Sequence, residues 1–532
     1  MIERRNTAMT PRLDFTDGEK TKMGEYLIKK ADFEDKRRIL LRELEQVESK
    51  IIEMQREYGA IYNKRNPILG LPVEVTCLIF TFAQVAAQLP SVHESKDDES
   101  EEDDDKGEDE DDFLLEVVVS HVCHEWRSIS LGFPKLWTSF FYEAGSSFVV
   151  PLQRFDTYLK RSAALPLRIC LDFQSGSDDP DYVQLVEKAV EQVHRWQHFS
   201  MYSNDETAMQ PFHLLNDISA PMLEYLTLVP GVDLDEIADD DSLHVVTNMD
   251  PCIFKGGAPK LTYVMLDGYS LPNALPPLSN ITILRIERQD CDVVPMFESA
   301  PFLELLSLPS LSQLSLRGDL IAPFGIPRNV HMPNLKRFRV GDFETIWDLL
   351  PNIRAPQLDT LIIHMCQSAS EFLTGTIHSS PDMSYAFPSL RKLYVLDSNV
   401  ESSVASTFTH VTSQATDVLI SHGDLQTSLI QTIVNEHYTD TVWPRLKILS
   451  CNIPEVETID TYVAFASCRP KGSFAFRLHP ALFDLWDEGL DALEAVSSVI
   501  MDAEWELDEP FWPQDTDHDP GKDDTFSISE YF

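Results

Sequence analysis

Apolar residues follow a heptad pattern in the segment from about Phe33 to Tyr62. They recur at alternating steps of four and three, in a stretch that lacks proline and is rich in Glu, Lys and Arg. The positions are Leu40, Leu44, Val47, Ile51, Met54, Tyr58 and Ile61. This spacing predicts a long helix with one apolar stripe. Two interpretations of the stripe stay open: a coiled-coil dimer, or packing on the rest of the same chain.

A second pattern, P-x-L-x-x-L-x-L, recurs between about residues 150 and 480. The copies begin at Pro221, Pro259, Ser279, Pro309, Pro333, Pro356, Pro388 and Pro444, and a degenerate early copy lies at Trp196, Phe199 and Met201. The last two apolar positions alternate, so they project from one side of a short strand. One unit cannot cover its own apolar side, so neighbouring units must stack. Most steps between copies are 20 to 38 residues, near the period of leucine-rich repeats.

Between the two patterns, apolar segments flank a strongly acidic run. Residues 67–83 open with Pro and Gly and predict a short helix after Pro72, and a further helix is predicted from Leu114 to Gly132. The run 94–112 has 14 acidic residues among 19. Because it has nothing to bury and its charges repel, we expect a disordered insertion over 87–113.

Composition narrows the class of partner. The chain has 532 residues and 87 acidic against 43 basic side chains, a formal net charge of -44. This excess repels nucleic-acid phosphates and anionic membrane surfaces, so we expect neither as a partner. The N-terminus has no apolar core of a signal peptide and no stretch is apolar enough to span a bilayer, which predicts a cytoplasmic or nuclear protein, or both.

Motifs for catalysis and metal binding are not found in the sequence. No two of the eight cysteines lie within three residues of each other, and phosphate-binding, zinc-protease and nucleophile-elbow motifs are missing. Asp515, Asp517 and Asp519 resemble the start of a calcium loop, but Pro520 stands where such a loop needs Gly. We therefore expect a protein that is not an enzyme and that has no metal or cofactor.

The segments on either side of the acidic run together resemble an F-box. The first fits the F-box pattern P-I-x-x-L-P-x-E-V-x-x-x-I-F, and the second fits V-s-x-V-C-x-x-W-R followed by P-x-L-W. The matching residues are Pro67, Ile68, Leu71, Pro72, Glu74, Val75, Ile79 and Phe80, then Val119, Cys123, Trp126, Arg127, Leu136 and Trp137. The span 67–140 has 74 residues, and removing 87–113 leaves 47, close to the usual length of the domain. The whole chain resembles the expanded F-box families of mushroom-forming fungi, with a divergent leucine-rich-repeat region.

The resemblance implies a substrate receptor of an SCF-type ubiquitin ligase. Such a receptor docks a Skp-type adaptor, and through it the cullin ligase core, by an apolar helical face. The residues implied in adaptor binding are Pro67, Ile68, Leu71, Pro72, Val75, Ile79, Phe80, Val119, Cys123 and Trp126. The alternative function is a protein-interaction scaffold outside the ligase, which uses the repeat array and the heptad helix.

The positions that flank the repeat leucines predict the surface that binds a target protein. In this acidic chain nine of these positions carry basic or aromatic side chains, among blander residues, whereas the acidic residues at equivalent positions are few, Asp267 and Glu287. The candidates are Tyr225, Tyr263, Arg285, Arg317, Arg337, Arg339, His364, Lys392 and Tyr394. Arg and Tyr are enriched at binding hot spots, so we expect a target segment that is acidic or phosphorylated.

These elements predict an α+β multidomain chain. A flexible tail over 1–31 and a heptad helix over 32–66 precede the F-box-like module at 67–140. An irregular leucine-rich-repeat α/β solenoid with a curved parallel sheet follows over 141–480. An acidic C-terminal helix and tail complete the chain over 481–532.

Overall fold

The computed structural model describes most of the chain. The described residues are 15–63, 65–88, 114–144, 151–173, 182–203, 212–229, 245–246, 250–268, 270–287, 296–318, 320–321, 330–343, 345–366, 386–396, 398, 400, 402–421, 429–435, 442–452, 459–478 and 490–501. Most of the predicted acidic insertion and most of the predicted C-terminal tail lie outside them. The chain divides into two compact units, Met1–Ile79 and Phe80–Phe532.

The first unit is dominated by one long helix, α1, over Asp17–Asn63. Residues 17–31, which the sequence predicts as part of a flexible tail, belong to this helix. Glu19 supplies the acceptor half of a capping box at the N-terminus of this helix, accepting the Thr16 backbone N–H and hydroxyl, each at 2.8 Å. After a 3₁₀ turn at Pro67–Gly70, helix α2 runs over Val73–Gln88 and crosses the boundary between the units.

The second unit begins with helical turns that precede the first strand of a sheet. Helices α3 (Leu115–Val122) and α4 (His124–Leu131) precede a 3₁₀ turn at Pro134–Trp137. The Trp137 indole N–H donates to the Ser130 carbonyl at 2.8 Å, and the Arg161 guanidinium lies 4.2 Å from the Trp137 ring centroid. These contacts join the 3₁₀ turn to α4 and to Arg161 of the next helix, and strand β1 (Ser139–Glu143) follows the turn.

A parallel sheet of 14 strands forms the rest of the unit. After β1 its strands are β2 (Leu167–Asp172), β3 (Trp196–Tyr202), β4 (Tyr225–Val229), β6 (Tyr263–Leu266), β7 (Ile283–Glu287), β9 (Gln313–Arg317), β11 (Arg337–Gly341), β13 (Thr360–His364), β14 (Lys392–Leu396), β15 (Asp417–Ser421), β16 (Ile448–Asn452), β17 (Ala475–Leu478) and β18 (Ser498–Met501). Each pairs in parallel with the next in this order. The short strands β5 (Val245–Val246) and β8 (Met296–Phe297), and β10 (Val330–His331) and β12 (Ile353–Arg354), form two small sheets.

Short helices lie between many of the strands. They are α5 (Pro151–Arg161), α6 (Tyr182–Val190), α7 (Ser270–Asn273), α8 (Ser299–Leu306), α9 (Ile346–Leu349), α10 (Ser402–Val411), α11 (Leu429–Asn435), α12 (Ile459–Ser467) and α13 (Leu490–Val496). A parallel pair of strands needs such a crossover, because a tight hairpin cannot join two strands that run the same way.

In the copies of the sequence pattern, a β-turn that usually contains the proline precedes the strand. In the copy at Pro309, for example, the Leu311 N–H donates to the Leu308 carbonyl at 3.2 Å. The same bond recurs in all eight copies, and Pro, whose φ is fixed, stands at the second turn position in seven of them. Side chains then join successive turns: Asn334 donates to the Pro309 carbonyl at 2.6 Å. The pattern therefore encodes both the turn and its stacking on the preceding turn.

The hydrophobic core lies on one face of the sheet. The alternate leucines of the pattern, such as Leu314 and Leu316 of β9, are fully buried in one cluster with residues of the intervening helices, including Phe302 and Leu303 of α8. A chain of mixed helix and strand with a long N-terminal helix and a large parallel sheet is therefore confirmed.

Candidate binding surfaces

The face of the sheet opposite the core carries most of its polar side chains. In the strands from β4 to β14 this face consists of the first, third and fifth residues, and we call it the polar face. Register aligns these residues in rows that cross the sheet, because each strand pairs with the next without a shift. The structure brings all nine predicted target-binding residues onto the polar face.

The nine residues fall into three rows. Tyr225, Tyr263, Arg337 and Lys392 are first residues of their strands, whereas Arg285, Arg339 and Tyr394 are third and Arg317 and His364 are fifth. They differ in accessibility. Arg285, Arg339, Tyr263 and His364 are buried, and the other five are half-buried. The half-buried side chains are therefore the better candidates for direct contact with a partner.

Glu287 of β7 holds the centre of the polar face together. The Arg285 guanidinium donates to both Glu287 carboxylate oxygens, at 2.8 and 3.0 Å, and Arg339 donates to Oε1 at 3.1 Å. Arg339 also donates from Nε to the Ser315 hydroxyl at 2.7 Å, and that hydroxyl donates to Glu287 at 3.1 Å. Two arginines therefore share the Glu287 carboxylate.

The protonation state of Glu287 follows from this arrangement. Burial alone would raise the pKa of the Glu287 carboxyl, but the charges of Arg285 and Arg339 and the hydrogen bonds from Arg285 and Ser315 outweigh it and lower the pKa to about 2. Glu287 is thus ionised throughout the neutral range. Sequence reasoning treated it as an exception among basic positions, whereas the structure shows that it orients two of the predicted arginines.

An aromatic row lies at the other end of the polar face. The rings of His198 and Tyr225 are 4.0 Å apart between centroids, and those of Tyr225 and Tyr263 are 5.6 Å apart. Arg168 Nε donates to His198 Nδ1 at 3.1 Å. Burial and the charge of Arg168 lower the pKa of His198 to about 3, so its imidazole is neutral at pH 7.

Arg317 makes a different contact at the edge of this surface. Its Nε donates to Asp342 Oδ2 at 2.9 Å. Asp342 follows β11 with a φ of +47°, a left-handed conformation that Asp tolerates better than most residues. Neighbouring Gly341 has no side chain, and its Cα pairs in register with Arg317. Arg317 is therefore positioned by one acidic residue, which neutralises its charge.

Helix α2 carries an exposed apolar stripe. Val75, Leu78, Ile79 and Phe82 stand at positions i, i+3, i+4 and i+7, and their side chains are 38%, 56%, 39% and 71% exposed. Thr76 and Phe80, on another face of the helix, are buried. Leu78 and Phe82 were missed in the sequence analysis, although the helical spacing from Val75 identifies both. Val118 and Val122 of α3 are likewise exposed.

The ten predicted adaptor-binding residues divide by exposure. Pro67, Ile68, Pro72, Val75 and Ile79 are exposed, Leu71, Cys123 and Trp126 are half-buried, and Phe80 and Val119 are buried. The Phe80 and Trp126 rings meet edge to face at 5.1 Å, and Cys123 caps α4 by accepting the Trp126 backbone N–H at 3.4 Å. Phe80, Val119 and Cys123 thus have structural contacts, whereas the exposed five present side chains to solvent.

The described residues contain no group of three or more His, Cys, Asp or Glu side chains placed to hold a metal ion. The described helices include none with both the length and the apolar character needed to cross a membrane. The chain matches no model of a known protein family, and no curated protein matches it.

Proposed function

We propose that this chain is a substrate receptor of an SCF-type ubiquitin ligase. The α2 stripe docks a Skp-type adaptor, and the polar face of a leucine-rich-repeat array binds the target. The observation that carries the proposal is the stripe itself: four large apolar side chains lie exposed on one helix face. Contiguous exposed apolar surface of this kind marks a site of protein association.

The exposed fraction of each stripe side chain indicates how much it contributes to adaptor binding. Leu78 and Phe82 lose the most accessible apolar surface when a partner covers the stripe, because they are the most exposed of the four. The receptor needs no catalytic group, since it acts by holding a target near the ubiquitin-conjugating enzyme and so raises the effective concentration of the target lysine.

A pull-down with a purified Skp-type adaptor tests this docking. The double variant Leu78→Asp and Phe82→Asp should lose capture, because two carboxylates would have to be desolvated in the interface. Its matched control is Ser128→Asp with Gln153→Asp, which adds the same charge at exposed positions of α4 and α5. Equal capture by both variants, or no capture by the unsubstituted chain, would rule the proposal out.

The target site is the repeat array's polar face, and its preferred ligand is an acidic or phosphorylated segment. Three half-buried basic or aromatic side chains lie on that face: Arg337 on β11, and Lys392 and Tyr394 on β14, with β13 between the two strands. Arg285 and Arg339, which share the Glu287 carboxylate, lie on the same face. Charge complementarity of this kind selects anionic partners.

The alternative is an interaction scaffold that works outside a ligase. The exposed apolar stripe of α1 favours it, since that stripe offers a second surface for association. A chain that binds target but captures no adaptor would support this alternative.

A further inference from the structure

The heptad seam of helix α1 is not confined to the C-terminal half of the helix, from Leu40 to Ile61, but continues toward its N-terminus. Extending the spacing of Leu44 and Val47 toward the N-terminus gives twelve core positions. We call this set the α1 seam: Met23, Tyr26, Lys30, Phe33, Arg37, Leu40, Leu44, Val47, Ile51, Met54, Tyr58 and Ile61. At a rise of 1.5 Å per residue it is about 57 Å long.

The α1 seam lies in solvent in the single chain. Its ten apolar members are between 47% and 72% exposed, and the described residues of α1 include none that is buried. Leaving so much apolar surface in water is unfavourable, and an isolated helix without tertiary packing is only marginally stable. Within the first unit, the described residues therefore supply no cover for this face.

We propose that the α1 seam of a second copy of this chain covers it, in an antiparallel coiled coil. Aligning Leu40 of each copy with Leu44 of the other sets Tyr26 opposite Tyr58 and Met23 opposite Ile61. In this register every core position of one helix has a core position of the other opposite it, as knobs-into-holes packing requires.

The charged residues of the seam determine whether the two helices run parallel or antiparallel. The seam has two basic members, Lys30 and Arg37, both in its N-terminal half. A parallel pair would stack Lys30 on Lys30 and Arg37 on Arg37, and Lys29 and Lys36 would lie beside them. Like charges held this close repel.

The antiparallel pair separates these like charges. Arg37 then lies opposite Val47 of the second copy, beside its Glu48, and Lys30 lies opposite Met54, in the segment that contains Glu53 and Glu57. The stretch 29–38 carries five basic and three acidic residues, whereas 43–57 carries five acidic and two basic ones. Opposite net charges therefore face each other only when the helices run in opposite directions. The positions that flank the seam carry both positive and negative charges in either orientation. The charged residues within the seam therefore determine the orientation of the helices.

The mass of the full chain in solution tests association. Analytical ultracentrifugation should show two chains per particle, and Ile51→Lys should yield a single chain because it places a charge in the middle of the apolar seam. Ser49→Lys, which adds the same residue on the outward side of α1, should stay dimeric. A single-chain mass for the unsubstituted protein, or a dimer that survives Ile51→Lys with helix content unchanged, would overturn the proposal.

Photocrosslinking tests the orientation. Benzoylphenylalanine replaces Tyr26 in a chain of natural isotope composition, which is then mixed with an isotopically heavy unsubstituted chain. The light peptide that carries position 26 should join the heavy peptide that contains Tyr58. Within one helix these positions are about 48 Å apart, so the crosslink cannot form inside a chain. A crosslink to the heavy peptide that contains Tyr26 would show a parallel pair and reject the arrangement.

Discussion

Arg339 on β11 reaches past β9 to hydrogen-bond Glu287 on β7, with Nη2 3.1 Å from Oε1. Three successive strands are thereby joined on the polar face, since Ser315 of β9 contacts both side chains. The charges lie in a largely buried setting, with the Arg339 side chain 1% and the Glu287 side chain 14% exposed. Loss of one charged member of this group would leave buried charge with a partner missing, and this lowers the stability of the fold.

Glu287→Gln should lower the free energy of unfolding at pH 7 by about 3 kcal/mol, because two buried arginines lose their counterion. The pKa of Glu287 is about 2, below its unfolded value of 4.5, so its contribution is fully present above pH 4.5 and is lost as the pH falls toward 2. Denaturant unfolding at several pH values measures this, and the difference between variant and unsubstituted chain should shrink in acid.

Asp359→Asn is the control for Glu287→Gln, because it removes a carboxylate from a more exposed ion pair. Asp359 pairs with Arg391, whose side chain is 67% exposed. Loss of such a pair should cost less than about 1 kcal/mol, since solvent screens it. Similar losses for both variants would mean that the Glu287 group has no special role in stability.

The sequence predicted the strands well where the pattern combined two signals. A proline that fixes a turn and alternating apolar residues together located β4, β6, β9, β11, β13, β14 and β16, because both signals are local. The strands β1, β2, β15, β17 and β18 lack the proline and were not predicted individually. Glu287 could not be assigned its role, because Arg339 and Ser315 reach it through strand register, which joins residues far apart in sequence.

The α2 stripe shows a similar limit. Resemblance identified Val75 and Ile79 but not Leu78 or Phe82. Helical spacing places all four on one face, yet the sequence cannot tell which apolar face of a helix is buried and which is exposed. The packing of Phe80 against Trp126 identifies the buried face.

His198→Gln should reduce the loss of stability in mild acid. The pKa of His198 is about 3 in the folded chain and near 6.5 when unfolded, so the unfolded chain binds a proton that the folded chain does not. Stability therefore falls as the pH drops from 6.5 toward 3, by up to about 1.4 kcal/mol per pH unit. Gln can still accept from Arg168. Unfolding midpoints between pH 4.5 and 6.5 measure the change, and His410→Gln, at an exposed site on α10, controls for loss of a histidine.

Glu116→Gln should stabilise the fold at pH 7. Burial raises the pKa of the Glu116 carboxyl, despite the hydrogen bond that the Tyr158 hydroxyl donates to it and the nearby charge of Arg154. A raised pKa means that stability falls as the pH rises above the unfolded value of 4.5, so removing the charge should raise the melting temperature at pH 7 and have less effect at pH 4.

Tyr158→Phe removes the other partner of this hydrogen bond and should destabilise the fold. It leaves the buried Glu116 carboxyl without this donor and should cost about 1–3 kcal/mol. If Glu116→Gln lowered the melting temperature at pH 7 as Tyr158→Phe does, the carboxylate charge would be stabilising and the argument from burial would fail.

Charge reversal on the polar face separates recognition from folding. Arg339 is 1% exposed and belongs to the Glu287 group, so Arg339→Glu should mainly unfold the chain. Arg337 and Lys392 are half-buried first residues of β11 and β14. Arg337→Glu with Lys392→Glu should therefore keep the melting temperature within a few degrees and weaken binding of an acidic or phosphorylated peptide at least tenfold, which fluorescence anisotropy would measure. Lys160→Glu with Lys188→Glu, on α5 and α6, gives the same change in charge away from this face. Equal weakening by both pairs would indicate a general charge effect and remove the polar face as the target site.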